Sequence, residues 1–215
     1  MSEFGKLPHR PLRHIPMHIV YRLSGSIPQK VLTEMREKYW KYQEAYGEAQ
    51  TPFNEPGPRI LAEQLLEEAL HHKSNGPYHL ANPAIAKLVL DSWKWLAEHR
   101  GVMLFAICVM SNHVHVLARS SSEAEVDTGS IIKAHKNFTA LRANRILGIR
   151  GQPFWATSYF DRDVRTGKFS TVMWYLLNNP VKAGLVKHWE DWPHTYLHPD
   201  YDLLFRRCEW EASAA

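Results

Sequence analysis

Residues Val102 to Leu117 read VMLFAICVMSNHVHVL, and the way this stretch folds decides the rest of the chain. Val102 to Val109 and Val114 to Leu117 are apolar and rich in β-branched side chains, which predicts two strands joined at the turn-prone pair Ser111-Asn112. Side chains alternate with period two along a strand, so His113 and His115 project from one face while Val114 points into a core on the other. Two imidazoles on one face at this spacing suit a shared cation.

A second element completes the constellation. Lys168 to Asn179 (KFSTVMWYLLNN) contains no glycine or proline, and Val172, Met173, Leu176 and Leu177 recur at helical intervals. Residues four apart share a helix face, so the Tyr175 phenol and the Asn179 amide are presented together. Pro180 is expected to end this helix, because it has no amide hydrogen and disfavours helical geometry in the residue before it. The Asn179 carboxamide oxygen is a candidate third ligand beside His113 and His115, with Tyr175 as a candidate nucleophile.

MSNHVHVLAR (Met110 to Arg119) and WYLLNNPVKAGLV (Trp174 to Val186) together resemble the signature segments of the REP-associated tyrosine transposases, single-strand transposases of the HUH superfamily. The likeness runs from about Met17 to about Val186. It includes YRLSGSIP near the start and FWATSYFDRDVR between the signatures. The resemblance implies a metal-dependent endonuclease and strand transferase that acts on single-stranded, hairpin-forming repeat elements. Tyr175 would become joined to a 5′ phosphate, and the ion held by His113, His115 and Asn179 would be magnesium or manganese. From ligand chemistry alone the metal stays open, since magnesium prefers oxygen while imidazole suits manganese, zinc and other transition ions.

Composition bounds the alternatives. At 215 residues, 45% of them hydrophobic, the chain is expected to form one compact domain with appended segments. No run approaches the ~20 apolar residues that cross a bilayer, and MSEFGKLPHRPLRHIP at the start does not read as a signal peptide, so a cytoplasmic, nucleoid-associated protein without membrane partners is expected. Cys108 and Cys208 form no C-x-x-C pattern and read as reduced thiols. A formal charge of +4 is modest for a nucleic-acid binder, but Lys133, Lys136, Arg142, Arg145 and Arg150 cluster without an intervening acid on a predicted helix. These residues, with Asp161 and Arg162 of the FDR segment, are the candidate DNA contacts.

The full pass along the chain predicts an α+β fold, a ferredoxin-like antiparallel sheet with helices packed on one face and a helical insertion between the first two strands. Residues 1–16 read as a flexible basic arm and 17–186 as the transposase-like domain. Within it, Met17 to Leu23 is a strand, and helices over Lys30 to Gly47, Arg59 to His72 and Asn82 to Arg100 make an insertion of about residues 30–100. Ser130 to Leu147 is the basic helix and Phe154 to Val164 a further strand, while residues 187–215 pack as an irregular tail. The aromatics Tyr39, Trp40, Tyr42, Tyr46, Trp93 and Trp95 sit at helical spacings that suit packing.

Other readings stand beside this one. Thirteen histidines make chance pairs common, so His113 and His115 could be polar residues on an exposed sheet face. Tyr159 competes with Tyr175 as nucleophile, but its strand position next to Phe160 suits packing. His18, His71, His72 and His135 have no matching partners and receive no ligand role. A non-catalytic, sequence-specific binder of DNA or RNA hairpins is the alternative function, and a relaxase-like nuclease is a third. Monomer and homodimer both stay open, with the monomer preferred.

Overall fold

The structure, a computed structural model, describes residues 9–46, 57–71 and 76–206. Five strands form one sheet: β1 (Met17–Arg22), β2 (Val102–Val109), β3 (His113–Ser120), β4 (Phe160–Asp163) and β5 (Thr195–Leu197). Their order is β4-β1-β3-β2-β5, and every pairing is antiparallel. Seven α-helices accompany them among the described residues: α1 (Gln29–Tyr46), α2 (Pro58–His71), α3 (Pro83–His99), α4 (Thr128–Ile146), α5 (Phe169–Leu177), α6 (Asn179–Lys182) and α7 (Asp202–Phe205). The α+β, ferredoxin-like class expected from the sequence is what the chain builds.

The β2–β3 hairpin closes at Ser111-Asn112, where the Met110 amide donates to the His113 carbonyl at 2.9 Å. From β3, Val114, Val116 and Ala118 enter a core shared with α3 and α4, whereas Leu117 joins a second core with α5. A bulge between Leu104 and Ala106 shifts the phase of β2. Val102 and Leu104 therefore face the first core, Phe105 and Ala106 the second, and alternation resumes with Ile107 and Cys108.

Local sequence sets the helix ends. Asn82 accepts the Ala84 amide and Pro83 opens α3, a cap and first-turn pair suited to a helix start. Asp127 caps α4 through the Gly129 amide. The stripe Ile85, Val89, Trp93 and Leu96 presses α3 onto the sheet, each such side chain contributing roughly 1.5–3 kcal/mol on burial.

A polar network then pins α3 and α4 to β1. Trp93 Nε1 donates to Tyr21 Oη at 2.9 Å, leaving the Tyr21 hydroxyl hydrogen for His135 Nε2 at 2.7 Å. His135 Nδ1 must then carry the proton it shares with Ser92 Oγ at 2.8 Å.

The helices cover both faces of the sheet, a departure from the one-face packing expected. α3 and α4 lie on one side, while α5 and the α1–α2 pair lie on the other. The apolar stripes of α2 (Ala62, Leu66, Ala69, Leu70) and α1 (Leu32, Met35, Tyr39) need an apolar partner, and Val20 and Phe160 supply it. α3 is the crossover between β1 and β2 that the fold requires, so the added helices are α1 and α2.

Four further segments differ from expectation. Residues 9–16 belong to the packed body: Leu12 is buried and pairs with Val126, and the Arg13 carbonyl accepts the Ser120 amide. Residues 1–8 lie outside the described residues, as do His72 and Cys208 and the side chain of Tyr46. The strand expected over Phe154 to Val164 is confined to Phe160–Asp163. Lys136 Nζ takes the Ala156 and Ser158 carbonyls at 2.8 Å each, so a side chain satisfies backbone that a ladder would otherwise pair. The tyrosine helix ends at Leu177, and Pro180 sits in the first turn of α6 instead of ending α5. The tail contributes β5 at the free edge of β2, with Trp189, Leu197 and Phe205 in the second core. Of the aromatics, Tyr39 and Trp93 are buried, whereas Trp40 and Trp95 are exposed.

Candidate metal centre and tyrosine site

The sheet face opposite α3 and α4 carries the histidines. Across β1 and β3, Val20 is the register partner of His115, and across β1 and β4, His18 is that of Arg162. His113 and His115 are both fully buried, and their Nε2 atoms face each other at 2.9 Å. Each ring is fixed from behind. His113 Nδ1 meets Asn112 Oδ1 at 2.6 Å, and Asn112 is itself oriented by donating to the Leu70 carbonyl at 3.0 Å. His115 Nδ1 meets His18 Nε2 at 3.2 Å, and His18 Nδ1 meets Glu63 Oε1, whose other oxygen is held by Arg162. The proton-bearing side of each ring is thus occupied and the Nε2 lone pairs converge, the pattern that metal-binding histidines require of their surroundings.

Helix α2 adds ligand-type atoms that the sequence reading missed. Glu67 and His71, one helical turn apart, bring a carboxylate and an imidazole to the histidine pair: Glu67 Oε1 lies 3.1 Å from His115 Nε2, and Glu67 Oε2 lies 3.6 Å from His71 Nε2. Ligand atoms of Glu67, His71 and His113 all fall within 4.8 Å of one another. The sequence alone assigns His71 no ligand role. The signal was present nonetheless, because Glu63, Glu67 and His71 recur every four residues beside the buried stripe of an amphipathic helix.

Asn179 and Tyr175 come to the same place. Asn179 is buried at the α5–α6 junction, its Nδ2 donating to the Tyr175 carbonyl at 3.1 Å and its side chain against the His71 imidazole. Asn179 Oδ1, His71 Nε2 and Glu67 Oε1 are buried without a well-aligned hydrogen bond, the last having only the 3.1 Å contact to His115 Nε2. Desolvating such atoms without compensation costs about 1–3 kcal/mol each, and a cation would satisfy all three. This donor set of imidazoles, a carboxylate and a carboxamide is one that a divalent metal ion can use. Tyr175 packs its ring edge-on to His18 and His115, with centroids at 5.9 and 6.2 Å. The Lys182 ammonium sits 3.8 Å from the Tyr175 ring centroid.

The electrostatics follow from burial and charge. Desolvation holds the His113 imidazole well below its ordinary value, with His115 adding to the effect, so it is neutral as a ligand must be. Burial alone would raise the Glu67 carboxyl, but His115, His113 and His71 outweigh it and keep the group an anion. Burial, then the Glu67 and Glu63 charges, push the Tyr175 phenol far up, so it retains its proton.

The remaining candidates divide. Lys133, Arg142, Arg145 and Arg150 are exposed, but α4 covers the sheet face opposite His113 and His115. Lys136 and Asp161 are corrections: Lys136 is buried on two carbonyls, and buried Asp161 accepts from the Arg10 amide while pairing with His9. Both have structural partners where an exposed DNA contact was expected. Arg162 is half-buried against Glu63. Tyr159 stacks on His9 at 3.7 Å and takes no part in the histidine cluster.

Residues 78–179 match the family model described as transposase IS200 like, a span that includes β2, β3, α4 and α5. A protein of Haemophilus influenzae named as a REP-associated tyrosine transposase is 25% identical over 129 residues, 56% of this chain and 73% of that protein. The solved structure of a REP-associated tyrosine transposase bound to a REP hairpin superposes with a TM-score of 0.52 at 14% identity, covering 94% of this chain and 88% of that one. These findings bear out the resemblance read from the sequence, and the superposition extends the shared fold beyond the matched family segment. No helix among the described residues is long and apolar enough to cross a membrane.

Proposed function

We propose, for a chain that carries the IS200-like transposase segment and is related to the REP-associated tyrosine transposases, that it cleaves and rejoins single-stranded DNA at hairpin-forming elements through Tyr175. The observation that carries this reading is the convergence of buried, partly unsatisfied ligand atoms beside that phenol. His113, His115 and Asn179 would hold a divalent ion, with Glu67 and His71 completing the set. When bound, the ion would supply charge neutralisation at a phosphodiester oxygen and favour loss of the phenolic proton.

The chain's own residues account for the remaining requirements. Asn112 and the Arg162–Glu63–His18 series hold the two imidazoles in one tautomer and one orientation. Lys182 places a positive charge over the Tyr175 ring, and with Arg162 it would oppose the carboxylates that disfavour phenolate. Attack by Tyr175 Oη on phosphorus would form a phosphotyrosine ester and break the bond to the 3′ oxygen, which leaves as a hydroxyl after taking up a proton. Because one ester replaces another, a free 3′ hydroxyl can reverse the step without ATP.

The test incubates the protein with labelled single-stranded hairpin DNA and manganese and looks for an adduct that survives denaturation. Wild type should form it and Tyr175→Phe should not. An adduct undiminished by that substitution would assign the nucleophile elsewhere. Hairpin binding without any adduct would support the non-catalytic binder.

A further inference from the structure

A second feature lies at the outer edge of β4, on the far side of the Arg162–Glu63 pair from the histidines. A cleft of about 450 Å³ is lined by Arg10, Arg59, Arg162, Arg165 and Asp163. The arginines come from four separate segments: residues 9–16, the first turn of α2, β4, and the loop before α5. The internal bonds of Arg10 and Arg162 leave capacity in reserve. Arg10 gives an Nη1 hydrogen to Asp163 and Arg162 gives its Nε to Glu63, while a guanidinium has five N–H donors. Arg59 is anchored on the Asp161 carbonyl at 2.8 Å. Arg165 is exposed and has no carboxylate partner among the described residues.

Anchored guanidiniums beside an exposed one are suited to planar, bidentate binding of phosphate oxygens, because little side-chain freedom is lost on contact. Position points to the same ligand. Arg162 stands on β4, His18 on β1 and His115 on β3, and these three side chains share one face of the sheet. Two strand spacings and an offset of two residues along the strand separate Arg162 from His115, about 12 Å, a reach that brings nucleotides flanking a scissile phosphate to the cleft. The basic face of α4, by contrast, is on the opposite side of the sheet.

We propose that this arginine cleft binds backbone phosphates of the DNA strand next to the cleaved position. The proposal rests on the reading of Tyr175 and the histidines as the cleavage site, but its test does not require cleavage. Binding of a fluorescein-labelled single-stranded oligonucleotide is followed by anisotropy in EDTA across a salt series, for wild type, Arg165→Ala and Arg165→Glu. Arg165 is exposed and has no ion-pair partner among the described residues, so both variants should fold, which equal melting temperatures would verify.

Each lost phosphate contact should flatten the slope of log K against log salt by about 0.7. Arg165→Ala should show that flattening together with weaker binding at low salt, and Arg165→Glu should weaken binding further. Affinities and slopes equal to wild type in both variants would overturn the proposal, whether or not the protein cleaves DNA. An altered slope in a protein that forms no tyrosine adduct would support the cleft while defeating the cleavage reading.

Discussion

The buried imidazole of His135 gives the fold an acid sensitivity that can be worked out in advance. It is enclosed by Tyr21, Ser92, Trp93 and Trp155, and desolvation, reinforced by the Lys136 charge, lowers its pKa from 6.5 to about 3. The folded value lies below the unfolded one, so the unfolded chain binds more protons between the two. Stability held above pH 6.5 is therefore lost as pH falls, and the loss continues down to about pH 3. At pH 5 the unfolded imidazole is protonated by about thirtyfold while the folded one is almost wholly neutral, which costs about 2 kcal/mol.

Urea unfolding at pH 8 and pH 5 measures this directly. His135→Gln keeps a donor and an acceptor but does not titrate. Other histidines with lowered values, buried His18 and His113 and partly buried His194 among them, contribute in the same direction in both proteins and cancel in the comparison. The wild type should lose about 2 kcal/mol more than the variant on going from pH 8 to pH 5. Equal losses would show that His135 is not held neutral by the network with Tyr21 and Ser92.

Three further outcomes are expected. His18→Ala removes the partner that fixes His115 Nδ1, and manganese affinity measured by calorimetry should fall by roughly 10–100-fold; unchanged affinity would mean the relay does not orient the ligand. Lys136→Met leaves the Ala156 and Ser158 carbonyls without their donor, so urea unfolding should show a loss of at least about 1.5–3 kcal/mol, whereas the salt dependence of DNA binding should match wild type. Lys182→Ala withdraws the charge over the Tyr175 ring, so the adduct should form more slowly at neutral pH while hairpin affinity in EDTA changes little; equal adduct rates would remove Lys182 from the site.

Local pattern carried the sequence reading far. The period-two alternation of HVHV put His113 and His115 on one face, and the helical spacing of Tyr175 and Asn179 kept them together even though the helix breaks at Asn178. Long-range pairing was less legible. Glu67 and His71 reach the histidines only because α2 packs on Val20 and Phe160, a contact no local period encodes. The destination of Lys136 was equally hidden, since a lysine among other cations on a helix looks solvated until the 156–158 backbone is folded beneath it. The charge run on α4 was visible, but its side of the sheet was not.

The two outer strands of the sheet are short, three residues in β5 and four in β4. β4 reads FDRD, and its Asp161, Arg162 and Asp163 side chains are all engaged in ion pairs. A neighbouring molecule adding a strand at either end of the described sheet would find few open amides and, at β4, a row of charges to desolvate. Self-association by sheet extension is accordingly disfavoured, which leaves helical surfaces and bound nucleic acid as the routes by which two copies could meet.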